Sequence, residues 1–349
     1  MTAATFRLGT YPYTFAHVSA MKSALLKAED YDRLLKMSTP EIVRFLQDTS
    51  YKKEIDEFAA HHEGLELIEI ALRQNLGRTL AKLQRASMGD LRELLDAYLV
   101  RHDIANIKIV MRVKFTGDTT AENLIIPAGN LSRAYFQSLL QKDSVEDVAR
   151  LVSITDLTPG IEHYQRTGSL FEIENLLDRH YYTGLLELVG RVPKHGVIFG
   201  KFLRTELDVH NLMTILRLAK EGFSAEKIRG YIFARGQRLG PVALQKLLSS
   251  PDVEDILDHL KSMGFRDMAS PAIEAYKKQK RLADVEVAQS RYLLHRAVLL
   301  WHQHPLSIDT ILGFMLAKEI EVRNLIVLIK AKKLGLPEEF VQSAIIAGK

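Results

Sequence analysis

The sequence predicts an all-α fold made of three homologous helical subdomains. Two observations give the fold class. Apolar residues recur at i, i+3 and i+4 over most of the chain, whereas alternating runs rich in β-branched residues are scarce. Glycine (20) and proline (10) make 30 of 349 residues, about 9% against an average usage of roughly 12%, so breakers are few. A third observation gives the subdomains: a set of landmarks recurs three times in the same order.

Along the chain, Ser38-Thr39-Pro40-Glu41 reads as a helix start, with a hydroxyl cap and proline in the first turn. Leu65, Ile68, Leu72, Leu76, Leu80 and Leu83 draw one apolar stripe, the mark of a helix with one buried face. Leu91, Leu95, Leu99, Asn106, Val110 and Val113 continue the pattern after a start at Asp90. The most strand-like stretch, Leu124-Ile125-Ile126, is short and runs into Pro127.

The clearest repeated landmark is a decapeptide. Asp103-Ile104-Ala105-Asn106-Ile107, Asp208-Val209-His210-Asn211-Leu212 and Glu321-Val322-Arg323-Asn324-Leu325 each continue through two aliphatic residues to a base, Arg112, Arg217 or Lys330. A glycine follows each Asn by 11 positions: Gly117, Gly222 and Gly335. Upstream stand Leu34-Leu35, Leu139-Leu140 and Leu247-Leu248, and between them Glu69, Glu174 and Glu286. From Glu to Asn the spacing is 37, 37 and 38. Repeats of about 105 and 113 residues exceed tetratricopeptide, ankyrin or HEAT units, which run roughly 33 to 47. Each unit is large enough for its own small core. The expected divisions are 1–115, 116–222 and 223–349, three units where length alone, at about 150 residues per domain, suggests roughly 2.3.

Asn106 falls on the apolar stripe of its helix, where an amide is costly unless hydrogen-bonded. Asn106, Asn211 and Asn324 are therefore expected to satisfy a polar group at a helix crossing. Glu69, Glu174 and Glu286 are placed to pair with Arg112, Arg217 and Lys330 respectively. Three equivalent ligand sites are the competing interpretation; recurrence in every copy favours something each unit needs in order to fold.

Residue chemistry excludes several function classes. The chain has no cysteine, hence no disulfide framework, thiolate zinc site or cysteine nucleophile; this fits a reducing cytoplasm. The net charge of +4 is small for the surface, and the longest basic cluster, Lys277-Lys278-Gln279-Lys280-Arg281, reads as a solvated helix face rather than a nucleic-acid site. Residues 1–20 lack the pattern of a signal segment. The best candidate for a membrane span, Ala297 to Ala317, is interrupted by His302, His304, Pro305 and Asp309. There is no phosphate loop, zinc helix or nucleophile elbow. His61-His62, His302-Gln303-His304, His102 and His295 read as surface or packed histidines. Glu146, Asp147, Glu254 and Asp255 read as first-turn acids suited to the helix dipole. No catalytic, cofactor or metal residues are assigned, and a scaffold or coupling protein is expected in preference to an enzyme.

The opening stretch carries a resemblance. Tyr11-Pro12-Tyr13-Thr14-Phe15-Ala16-His17-Val18, then Met21-Lys22-Ser23-Ala24-Leu25-Leu26 and Tyr31-Asp32-Arg33-Leu34-Leu35, with the later acid-x-x-Asn-Leu signatures at Asp208 and Glu321, resembles the C-subunit family of archaeal and bacterial A/V-type ATP synthases, whose eukaryotic counterpart is the V-ATPase d subunit. The likeness runs over about residues 10–346. His17 stands where the family usually has Arg, which leaves a charge contact there in doubt. The resemblance implies a non-catalytic, all-helical socket of three subdomains in a pseudo-threefold funnel, on the cytoplasmic face. It also implies partners: the proteolipid rotor ring of the membrane and the D and F subunits of the central shaft. Membrane contact would be peripheral, with no cofactor and no nucleic acid. A helical-repeat scaffold for other proteins, a nucleic-acid binder and an enzyme with a scattered site are the alternatives.

Overall fold

In the computed structural model, which describes residues 12–117, 124–192, 195–233, 236–250, 252–303 and 308–346, the periodic stretches become helices, and no strand occurs among the described residues. Tyr11 of the opening motif and His304-Pro305 lie outside them. The first unit comprises α1 (Pro12–Ser23), α2 (Ala28–Lys36), α3 (Thr39–Gln47), α4 (Lys52–Phe58) and the long pair α5 (Gly64–Arg85) and α6 (Gly89–Thr116). The second comprises α7 (Arg133–Leu140), α8 (Val145–Leu151), α9 (Thr158–Thr167), α10 (Phe171–Arg191) and α11 (His195–Lys220). The third comprises α12 (Ala225–Gly230), α13 (Pro241–Leu248), α14 (Val253–Leu260), α15 (Arg266–Gln279), α16 (Leu282–Gln303), α17 (Ile308–Lys333) and α18 (Glu338–Ala344). Thus α2, α7 and α13 correspond, and so on in order up to the long helices α6, α11 and α17.

Local chemistry sets these boundaries. At the start of α3, Ser38 donates its backbone N–H and its hydroxyl to Glu41, at 2.7 and 2.6 Å, satisfying donors that a helix start leaves open. Acids stand in the first turns of α8 (Glu146, Asp147) and α14 (Glu254, Asp255), where the helix dipole favours them. The glycines of the decapeptide end the long helices. Gly117, Gly222 and Gly335 adopt φ of 74°, 79° and 62°, a left-handed conformation that a Cβ disfavours.

The stripe Ile68, Leu72, Leu76, Leu80 and Leu83 is buried on α5. Rather than one core per unit, the buried apolar side chains of the described residues form two clusters. One spans the first two units and takes in α17 and the chain after it; the other lies between the C-terminal half of α11, at the end of the second unit, and α12 to α16 of the third. The reason is packing across units: α6 lies against α10, and α17 lies against α5, so apolar faces continue from one unit to the next. None of the described helices is long and apolar enough to cross a membrane.

Gly222 offers a clean test of the helix ends, because nothing lies within 4 Å of a Cβ built there and backbone strain is the whole effect. Gly222→Ala is expected to cost about 1–2 kcal/mol, seen as a lower urea midpoint at unchanged slope. An unchanged midpoint would mean that the left-handed turn is not needed to end α11.

Candidate functional site

The repeated asparagines make the same contact three times. Each carboxamide clamps one residue of the chain returning after its helix. Asn106 donates to the carbonyl of Ile126 at 2.8 Å and accepts from its N–H at 3.0 Å. Asn211 does so with Phe233 at 2.7 and 2.8 Å, and Asn324 with Ile346 at 2.8 and 3.0 Å. All three are buried. The amide thus does for one residue what a neighbouring strand would do, which is why Leu124-Ile125-Ile126 looks strand-like yet pairs with no strand.

The acid three positions earlier grips the chain further on. Asp103 accepts the N–H groups of Asn130 and Leu131, at 2.7 and 3.2 Å. Asp208 accepts those of Arg238 and Leu239, at 2.7 and 3.1 Å. Both approaches need a glycine, since a Cβ on Gly129 or Gly236 would collide with the carboxylate. Burial pushes both carboxyls up, against the pull of these donors. In the third unit Glu321 turns to the first unit. It accepts from the N–H of Leu26 at 2.5 Å, the Tyr51 hydroxyl at 2.6 Å and Lys318 at 2.8 Å. Lys318 also lies 4.0 Å from the centre of the Tyr51 ring. Burial, with Glu321 beside it, holds the Tyr51 hydroxyl protonated well above the usual range.

The ion pairs correct the expected partners: each base reaches the Glu of the next unit, not its own. Arg112 binds Glu174 through two bonds, at 2.6 and 2.7 Å. Arg217 binds Glu286. Lys330 closes the cycle on Glu69 at 3.1 Å, where Arg73 joins from within α5 at 2.8 Å. The three bases are largely solvated, so each pair is worth at most about 1 kcal/mol. Their value is in orientation.

A second set of charges meets where the long helices converge. Arg101, Glu206 and Glu319 each stand five positions before their Asn. Arg101 binds Glu206 at 2.8 Å and lies 3.6 Å from Glu319, which His102 also approaches, at 3.2 Å. The guanidinium sits 4.9 Å from the centre of the Tyr98 ring. Burial pushes Glu206 up despite Arg101. For Glu319 burial works the same way, but Arg101 and His102 outweigh it and hold the carboxyl below its usual range. Identity across the copies does not reveal this cluster, because the three copies differ at that position; the signal available is opposite charge at one repeat position. His102, expected as a packed histidine, is buried but takes part in this cluster.

Elsewhere the polar residues are locally engaged. Lys277 and Lys280 face Glu254, and Arg281 pairs with Asp284 at 3.1 Å, so the basic cluster is partly neutralised by its own acids. His61 and His295 are exposed, and His62 meets Glu66 at 3.1 Å. His17 is exposed and packs edge-on against Tyr13, ring centres 4.6 Å apart. Among the described residues no group of three or more His, Asp or Glu is placed to hold a metal ion.

The sequence profile of the ATP synthase (C/AC39) subunit family matches residues 15–344. The chain is 36% identical to the C subunit of the A-type ATP synthase of Methanococcoides burtonii, with 96% of this chain and 94% of that protein aligned. It is 33% identical to the protein of the same name from Methanosarcina barkeri, with 96% and 92% aligned. With its namesake from Halobacterium salinarum identity is 30%, with 96% and 97% aligned.

Two outcomes test the site. Asn211→Leu strands the buried N–H and C=O of Phe233 and is expected to cost about 2–5 kcal/mol; unchanged urea unfolding would leave the clamp without a structural role. Burial opposes ionisation of Glu69, but Arg73 and Lys330 outweigh it and depress its pKa. Its contribution is therefore full at neutral pH and lost as pH falls through the depressed range. Glu69→Gln should lose less stability than the parent chain between about pH 5 and about pH 3, read by thermal melting. Parallel pH profiles would show that the ionised pair contributes nothing.

Proposed function

The chain belongs to the ATP synthase (C/AC39) subunit family, and on that premise we propose that it is a non-catalytic central-stalk subunit of a rotary A/V-type ATP synthase. In this role it is the socket between the shaft, made of the D and F subunits, and the proteolipid rotor ring. It passes torque between ATP synthesis or hydrolysis and the translocation of protons or sodium ions. It sits peripherally at the cytoplasmic face of the membrane.

The observation that carries this reading is the cyclic order of the contacts between units. Arg112 joins the first to the second, Arg217 the second to the third, and Lys330 the third to the first. A torque coupler must not shear when one face is driven against the other. Units arranged in a row leave two free ends that can slide; units closed on each other support every seam from both sides. Long packed helices give the body stiffness, and the clamps at Asn106, Asn211 and Asn324 tie the connecting segments to those helices. The threefold plan also suits a rod-shaped partner on the axis, with the units around it as a funnel.

The deciding experiment is affinity isolation of the tagged full chain from detergent-solubilised membranes. Recovery of the proteolipid ring together with both shaft subunits is expected. Recovery of neither, or of unrelated proteins instead, would overturn the coupling role in favour of a helical-repeat scaffold.

A further inference from the structure

The position three residues after the base of each decapeptide holds Phe115, Lys220 or Lys333. In two units it is engaged. Phe115 packs against Tyr164, ring centres 6.4 Å apart, and the Lys220 ammonium donates to the carbonyl of Lys280 at 3.0 Å. Lys333 is exposed and pairs with no acid among the described residues. It stands instead at the edge of a pocket of about 280 Å³ between α5 and α17, where the third unit meets the first.

Leu65, Ile70, Leu124 and Ile329 give this pocket apolar walls. Its volume is ample for rings, since an apolar cavity of roughly 150 Å³ already takes benzene. Where the first unit meets the second, rings hold the equivalent places. Phe171 stands three positions before its repeated Glu, as Glu66 does, and meets Tyr231 with ring centres 4.6 Å apart; Phe115 stands where Lys333 does. At the contact of the third unit with the first, these two positions are charged and the space between them is open.

We propose that this pocket binds a small aromatic acid, a planar apolar body carrying one anionic group, and that the bound molecule braces the first unit against the third. The proposal goes beyond the coupling role and does not depend on it.

The charges select the ligand. Arg73 donates to Glu69 at 2.8 Å and to the carbonyl of Leu124 at 3.3 Å, which fixes one wall. Lys330 approaches the same carboxylate at 3.1 Å, so two cations share Glu69. Glu66 is exposed at the rim and meets His62 at 3.1 Å. Arg73, Lys330 and Lys333 thus stand against Glu66 and Glu69, and one further negative charge balances them. A neutral ligand gains nothing from Lys333. A ligand with several negative charges meets the two carboxylates at short range. The apolar walls supply the rest of the affinity, as in most small-molecule sites.

Anilinonaphthalene sulfonate has this chemistry and reports binding by fluorescence. The folded full chain is expected to show one saturable site, and a higher melting temperature at saturation. Lys333→Glu should weaken binding at least about tenfold. Lys246→Glu, which reverses an exposed charge on α13, should change it less than about twofold. Phenylnaphthylamine, with the same rings and no sulfonate, should bind at least about tenfold more weakly. Leu65→Trp, which fills the pocket, should abolish the site. Full affinity in Lys333→Glu, an equal loss in Lys246→Glu, equal binding of the neutral amine, or no saturable site would each overturn the proposal. If Leu65→Trp melts early, the two lysine variants decide, since both positions are exposed. Isolation of rotary subunits with the tagged chain reads the coupling role alone, so the two readings fail separately.

Discussion

The acids three positions before the repeated asparagines bind the segments that meet their helices, and the polar contacts between the repeats are arranged around that interaction. At the first two seams the chain itself passes into the next unit, and Asp103 and Asp208 receive its N–H groups as it arrives. A longer acid, Glu321, reaches across to Leu26 and Tyr51 of the first unit. Lys332 adds two bonds to the carbonyls of Leu35 and Met37 at the end of α2, at 2.6 and 2.7 Å, where a cation also complements the helix dipole. Burying Lys318 with Glu321 is costly unless every lone pair is used, and here both carboxylate oxygens are engaged.

The meeting of α6, α11 and α17 at Arg101, Glu206 and Glu319 imposes a second constraint. A residue repeated in all three units would meet its own copies there. Three like charges there would repel in a poorly solvated site. The copies resolve this by differing: Arg101 stands against Glu206 and Glu319. The two carboxylates share one guanidinium and part ways, Glu206 held up by burial and Glu319 held down by Arg101, with His102 beside it. Away from that cluster the opposite holds. Asn106, Asn211 and Asn324 each see only their own returning segment, so the same residue serves all three units.

These two situations explain what could be read in advance. Helix boundaries, the stripe on α5 and the terminating glycines depend on neighbours three or four positions away, and the expected features of α3, α5 and α6 follow from them. Identity across copies draws attention to the asparagines and to the Glu and base positions. It passes over Arg101, Glu206 and Glu319 because their role requires difference. It keeps Asp103, Asp208 and Glu321 as pattern without assigning them a partner, although Gly129 and Gly236 stand at the places where the two aspartates need room.

An all-α chain, its three-part repeat and the polar residues that recur in it are already present in the order of amino acids, because helix periodicity, capping and copy number are local or countable properties. Which residues meet is a matter of tertiary packing. The partner of Arg112 is Glu174 and not Glu69, and the partner of Lys330 is Glu69 and not Glu286. Nothing in a single unit distinguishes these choices, since each offers the same pair of charges at nearly the same spacing. The packing of α6 on α10 and α17 on α5 selects between them. That packing is spread over many apolar side chains and legible in none of them singly.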